Sequence, residues 1–325
     1  MAGHRHPRAG SVRQNRLVLS GIGFMMGIAD IIPGISGGTV AFIAGIYEQL
    51  LLSITSLNHL FVKKVLALDI RGALAQIRAG FLVPLLCGIL VSLLLMSRII
   101  HWLLQGYKEL LLSFFLGLVS ASILVVVRRL PPWNAGNAAF LVLGFLVAFV
   151  LTGIIPRTTP QTLWFLFLCG SVAICAMILP GISGAFILLL LGKYEFITGV
   201  LKNPFSLEHL QAILVFGTGC VTGLVLFSRV LRKGLTLAYG PTMSLLTGFM
   251  AGAMRKLWPW KKPVPATGVD HGAAAVHEYN VLPPEVSGEV VLAALLFLAG
   301  FLLILALEMS GAGSKKRDPQ ELASP

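Results

Sequence analysis

The chain has 325 residues, of which 56% are hydrophobic and only 12% charged, a balance that leaves too little polar surface for a water-soluble globular domain. Its formal charge of +12 does not mark a nucleic-acid binder, because the basic residues sit in short connections beside apolar runs and build no continuous face. Cys87, Cys169, Cys175 and Cys220 fall inside apolar segments without metal-ligand spacing, and no histidine spacing suggests a metal, so neither a metal nor another cofactor is expected.

In chain order, residues 1–16 form a basic tail. The first apolar stretch begins near Leu17, contains Asp30 and Pro33 and lacks a small-residue cleavage site, which argues against a cleaved signal peptide. Apolar runs of the length a bilayer core of about 30 Å requires then follow one another. The first half, 17–155, reads as an interrupted stretch over 17–56 and spans over 80–97, 110–127 and 137–155. The second, 162–308, reads as an interrupted stretch over 162–201 and spans over 210–231, 242–257 and 289–308, with a polar, Pro-rich loop over 259–288. Residues 309–325 form a second tail.

The two halves are related. Pro33, Gly34, Ile35, Ser36 and Gly37 match Pro180, Gly181, Ile182, Ser183 and Gly184 at an offset of 147, and Gly45, Tyr47 and Glu48 match Gly192, Tyr194 and Glu195 at the same offset. A fainter echo at an offset of 131 pairs Ser97 and Arg98 with Ser228 and Arg229, and Gly117 with Gly248. Pro-Gly and Gly-Gly steps stop a helix, so each interrupted stretch is expected to be two helical arms joined by a turn. Such a hairpin returns the chain to its starting side, which leaves three net crossings per half and inverts the second half. The expected fold is therefore an all-α polytopic membrane protein of two inverted-topology repeats, each a re-entrant or full helical hairpin plus three transmembrane helices. With both termini cytoplasmic, sixteen of the twenty-five Lys and Arg residues fall on the cytoplasmic side, as the positive-inside bias demands. Paired, Gly/Pro-interrupted segments point to a substrate site near the midplane.

Irregular backbone at membrane depth must be buried in protein or face water, so the two turns imply a polar cavity. Gly34, Ser36, Gly37, Gly38 and Thr39 in the first turn, and Gly181, Ser183 and Gly184 in the second, offer backbone amides and hydroxyls suited to an anion. Phe186 replaces Thr39 in the second turn, so the two sites are related but unequal. Close helix packing by small residues is the competing reading. Arg98 and Arg229 end corresponding spans and would suit phosphate capture at opposite mouths, or snorkel at the interface. Asp30, Glu48 and Glu195 lie in or beside the hairpins, where a carboxylate is costly, and are candidates for proton coupling. Tyr47 and Tyr194 read as interfacial anchors.

The run Gly27-Ile28-Ala29-Asp30-Ile31-Ile32-Pro33-Gly34-Ile35-Ser36-Gly37-Gly38-Thr39, with Pro180-Gly181-Ile182-Ser183-Gly184, resembles the bacterial PopT family of polyprenyl-phosphate transporters over about residues 16–310. The resemblance implies return of undecaprenyl phosphate from the outer to the inner leaflet of the cytoplasmic membrane for cell-envelope synthesis. The implied partners are that lipid and the surrounding membrane lipids, with no nucleic acid; the oligomeric state is left open, a homo-oligomer included. Undecaprenyl-pyrophosphate phosphatases look similar in having inverted repeats and a Pro-Gly-x-Ser-Arg-Ser box. Here Gly37 and Gly38 stand where the Arg-Ser pair would be, and a serine without an activating base is a poor nucleophile. A transporter is thus expected rather than an enzyme, with a small-anion channel or exporter as the remaining alternative.

Overall fold

The computed structural model describes residues 15–32, 36–130, 133–153, 159–160, 162–202, 206–263, 278–283, 285 and 287–309. Residues 1–14 and 310–325 of the tails and Gly34 lie outside the described residues, as do the outermost positions 154–155 of the third expected span. The described chain is almost entirely helical. Its first half comprises α1 (Arg16–Ile31), α2 (Gly37–Ile43), α3 (Tyr47–Thr55), α4 (His59–Leu66), α5 (Ile70–Gln76), α6 (Ala79–Gly106), α7 (Lys108–Arg129) and α8 (Ala135–Leu151). The second comprises α9 (Leu163–Ile178), α10 (Gly184–Leu190), α11 (Tyr194–Lys202), α12 (Leu207–Leu237), α13 (Tyr239–Leu257), a two-stranded antiparallel ladder of β1 (Lys261–Pro263) and β2 (Glu278–Asn280), and α14 (Gly288–Met309).

Each interrupted stretch holds three helices rather than two arms. The additional break follows α2 and α10, where Gly45 (φ +69°) and Gly192 (φ +61°) adopt the left-handed conformation that glycine enters without a Cβ penalty. The same bonds close both helices: Ile46 N–H donates to Ala41 O at 3.0 Å, and Lys193 N–H to Leu188 O at 2.8 Å. Beyond the break α3 turns by 119° from α2. Helices α6 and α12 run past the expected spans, to Gly106 and Leu237; no proline interrupts Ile99–Gln105 or Val230–Leu237, and the one glycine there, Gly234, does not end the helix. The expected loop over 259–288 contains the β1–β2 ladder, which brings Val281 O within 2.7 Å of the Trp258 indole N–H.

The repeat extends to the packing. Helix α1 lies along α6 as α9 lies along α12. In the first pair, Gly23 abuts the Leu85 carbonyl and Gly88 that of Ser20; in the second, Gly170 abuts Phe216 and Gly219 abuts Phe167. These are the same contacts shifted by 147 and 131 residues. The last helices are exchanged between halves: α14 packs on α7, with Gly117 against Phe297 O and Gly300 against Phe114 O, and α8 packs on α13, with Gly248 against Leu141 O and Gly144 against Leu245 O. Small residues let backbones approach where the lipid offers no hydrophobic drive for association. The exchange ties the halves together and seats both turns between them.

Helices α6, α7, α12 and α14 are long and apolar enough to cross a membrane; α2 and α3 are together as apolar but bend by 119° at the break between them. Outward-facing Leu86, Leu90 and Leu94 on α6, and Leu143 and Val150 on α8, are half to two-thirds exposed, which suits lipid. The short α4 and α5 combine exposed Leu60, Leu66 and Ile70 with Lys63, Lys64 and Arg71, the composition of helices lying in the membrane interface.

Candidate functional site

The two turns meet. Helix α1 ends at Ile31, and the chain resumes at Ser36, which is extended (φ −124°, ψ 139°) and caps α2 by accepting the Gly38 N–H at 3.1 Å. The Ser36 hydroxyl is fully buried and donates to Met177 O at 2.7 Å. The Tyr47 hydroxyl donates to Ile178 O at 3.1 Å. Met177 and Ile178 close α9, where the last-turn carbonyls have no intrahelical partner; in hydrocarbon each would cost several kcal/mol. Side chains of the first half therefore cap a helix of the second. In return, the Gly181 N–H donates to Thr39 Oγ1 at 2.8 Å. Gly38 is pressed against the same carbonyls, and a Cβ there would stand 2.7 Å from Ile178 O and 2.9 Å from Met177 O.

The candidate carboxylates separate. Asp30 Oδ1 accepts the Gly37 N–H at 2.7 Å, so this carboxylate holds the start of α2. Glu48 lies partly buried in the first turn of α3 and Glu195 exposed in that of α11. Tyr47 is 3% exposed and Tyr194 41%. Tyr47 is thus a buried strut between the halves and not an interfacial anchor, because α3 turns inward against α12.

The second turn is built differently. Gly181 (φ +93°) lies against Phe249, Met250 and Ala253 of α13. Ser183 is buried and precedes α10 without a side-chain capping bond. Gly184 packs on the Ala173 carbonyl. Phe186, at the position of Thr39, is covered by Lys256, whose Nζ is 4.6 Å from the ring centroid. The neighbouring Arg255 stacks on Phe149 at 4.6 Å. Arg98 and Arg229 are exposed on α6 and α12, and among the described residues neither bonds to either turn.

Sequence reasoning missed Lys193. It is 3% exposed, and its Nζ donates to Thr159 O at 3.1 Å and lies 5.8 Å from the Phe165 ring. A buried ammonium is costly unless it is partnered, and here a carbonyl and a ring face receive it. The signal was available: Lys193 stands where the first repeat has Ile46, inside the matched box. The basic end of α13, Arg255 and Lys256, left no comparable mark, because only the tertiary packing brings it to Phe186.

A polar junction sealed between two glycine-packed halves, in a body sheathed by exposed leucines, defines a multi-pass helical membrane protein of transporter type. The chain belongs to the undecaprenyl phosphate translocase-like family, whose model matches residues 26–275. It is 37% identical over 295 residues to a polyprenyl-phosphate transporter of Vibrio cholerae, covering 88% of this chain and 94% of that protein. A polyprenyl-phosphate transporter of Staphylococcus aureus is 27% identical over 251 residues, covering 73% and 84%. No solved structure matches the chain.

Proposed function

We propose that this protein carries a polyprenyl phosphate, undecaprenyl phosphate in the first instance, from the outer to the inner leaflet of the bacterial cytoplasmic membrane, and that it does so as a transporter without catalysis. The observation that carries the reading is the likeness to the Vibrio cholerae transporter over nearly the whole length of both chains. The duplicated, glycine-packed helix pairs support two repeats, and the distribution of Lys and Arg supports their inversion with both termini cytoplasmic, the plan in which one half rocks against the other around a site between them.

The junction is the element that such rocking must open. Parting the halves breaks the bonds of Ser36 to Met177, Thr39 to Gly181 and Tyr47 to Ile178, and frees the hydroxyls of Ser36 and Thr39 beside that of Ser183 for the phosphate oxygens. The prenyl tail stays in lipid. Arg98 recruits the head group at the outer mouth and Arg229 assists release at the inner one. Asp30, Glu48 and Glu195 are the groups through which a proton gradient would drive the cycle.

The test is uptake of undecaprenyl phosphate from the outer leaflet of proteoliposomes, together with an assay for phosphate released from the pyrophosphate form. Protein-dependent uptake without phosphate release is expected. Arg98→Ala should abolish uptake while leaving membrane insertion intact; undiminished uptake would remove Arg98 from the mechanism. Phosphate release without uptake would make the protein a phosphatase.

A further inference from the structure

The α12 face that carries Arg229 holds more than that residue. Arg229, Arg232, Lys233 and Thr236 recur at separations of three, four and seven, which puts them on one side of the helix. All four are exposed, and together they border a shallow, largely open depression of about 310 Å³ on the helix surface. The Thr236 hydroxyl donates to Lys233 O at 3.0 Å. The depth fits a lipid head group, because the helix from Leu207 to Arg229 is roughly 33 Å long at 1.5 Å per residue, close to the hydrocarbon thickness of about 30 Å.

An apolar stripe adjoins the depression. Leu226, Val230 and Leu237 are 57%, 64% and 74% exposed, and each lies three or four residues from one of the cations. Ser228, Leu231 and Leu235 turn the other way into the core, so basic face and apolar stripe share the uncovered side. The positive-inside bias accounts for Lys and Arg near this end of a span. It requires neither a single face nor a neighbouring exposed apolar ladder. The matching face of α6, at an offset of 131, carries Arg98, His101, Trp102 and Gln105. There one guanidinium remains, His101 and Gln105 hydrogen-bond to each other at 2.9 Å, and Trp102 meets Tyr107 edge-on at 5.3 Å.

We propose that the basic face at the C-terminal end of α12 is a docking site for a lipid phosphate monoester. Arg229, Arg232 and Lys233 hold the head group, and its apolar chain runs back along Val230 and Leu226 toward the membrane-spanning part of α12. Two guanidinium groups can grip a phosphate bidentately while the ammonium adds a point charge. The apolar stripe distinguishes a lipid from a free anion, since only a lipid covers it. The inference rests on the transport reading for its substrate class and adds Arg232 and Lys233 to it. Among the described residues the α12 face thereby holds three cations where the matching α6 face holds one, a bias that favours the phosphate on the α12 face.

The experiment measures binding of radiolabelled undecaprenyl phosphate to the full-length protein in nanodiscs of neutral phosphatidylcholine, where both faces are open and insertion direction has no effect. The R229Q/R232Q/K233Q variant should bind about tenfold more weakly, whereas K63Q/K64Q/R71Q, which removes the same charge elsewhere, should stay within about twofold. Should the triple variant fail to fold, Arg232→Gln alone should weaken binding by about threefold. Millimolar inorganic phosphate should not displace the lipid, and L226A/V230A should weaken its binding. Wild-type affinity in the triple or single basic-face variant overturns the proposal; displacement by inorganic phosphate makes the basic face a free-anion site and overturns the lipid assignment. If wild type carries the lipid across while the basic-face variants bind normally, the docking site falls and the transport reading stands. A wild type that neither binds nor carries the lipid removes the transport reading itself.

Discussion

The two turns carry nearly the same words and occupy different circumstances. The first spends its hydroxyls on the second half: Ser36 and Tyr47 cap the carbonyls that end α9, and Thr39 receives the amide of Gly181. The second makes no equivalent return, for Ser183 lacks a capping bond and Tyr194 is exposed. Backbone geometry was kept in both, down to the left-handed Gly45 and Gly192, while the side-chain bonds diverged. A duplicated segment thus preserves what its own sequence determines and loses what depends on the neighbour, and the neighbours here differ: α3 packs on α12 of the other half, but α11 packs on α12 of its own.

Paired substitutions break or sharpen that contrast. The largest effect is expected at Gly38→Val, whose side chain would collide with two backbone carbonyls that cannot move aside. It should destabilise the purified protein by about 3 kcal/mol, whereas Ala185→Val at the matching, exposed position should stay within about 0.5 kcal/mol; thermal unfolding in detergent reads both. Ser36→Ala removes a cap and orphans a buried carbonyl, for about 2 kcal/mol, against no more than about 0.5 kcal/mol for Ser183→Ala. Equal losses in this pair would mean that the turns are equivalent in solution and that the one-sided capping is not maintained. Tyr47→Phe should cost about 1 kcal/mol and raise the amide exchange rate around the end of α9, while Tyr194→Phe should leave that exchange unchanged. The smallest difference is expected where the repeats agree: Gly45→Ala and Gly192→Ala should each cost about 1 kcal/mol, with unfolding midpoints lowered alike. Unequal shifts there would show that even the shared backbone break is stabilised by its surroundings.

Much of this was legible without coordinates because it is local or periodic. The apolar runs mark α6, α7, α12 and α14 through length and hydropathy alone, and the matched Pro-Gly-Ile-Ser-Gly boxes identify the two halves. The break at Gly45 and Gly192 was present as a matched glycine, yet a lone glycine in an apolar run reads equally as a packing residue, so each hairpin seemed to have two arms. The burial of Tyr47 was not legible from the matched Gly-x-Tyr-Glu pattern, which Tyr194 shares. The cations of α12 were visible as charges near a span end, but their spacing acquires meaning only once the exposed side of the helix is known.

By itself the sequence determined a helical membrane body, two related halves, the turns that interrupt them and the family they belong to, because hydropathy, helix-breaking residues and internal repetition act within single segments. Only the tertiary structure decided that α8 and α14 exchange partners, that the first turn caps α9 while among the described residues no side chain of the second turn caps α1, and that Lys193 is buried while Arg229 lies on an open basic face. Those outcomes depend on which carbonyl lies unpaired beside which hydroxyl and on which face of a helix a neighbour covers. Such pairings form between segments more than a hundred residues apart, where no local pattern specifies them.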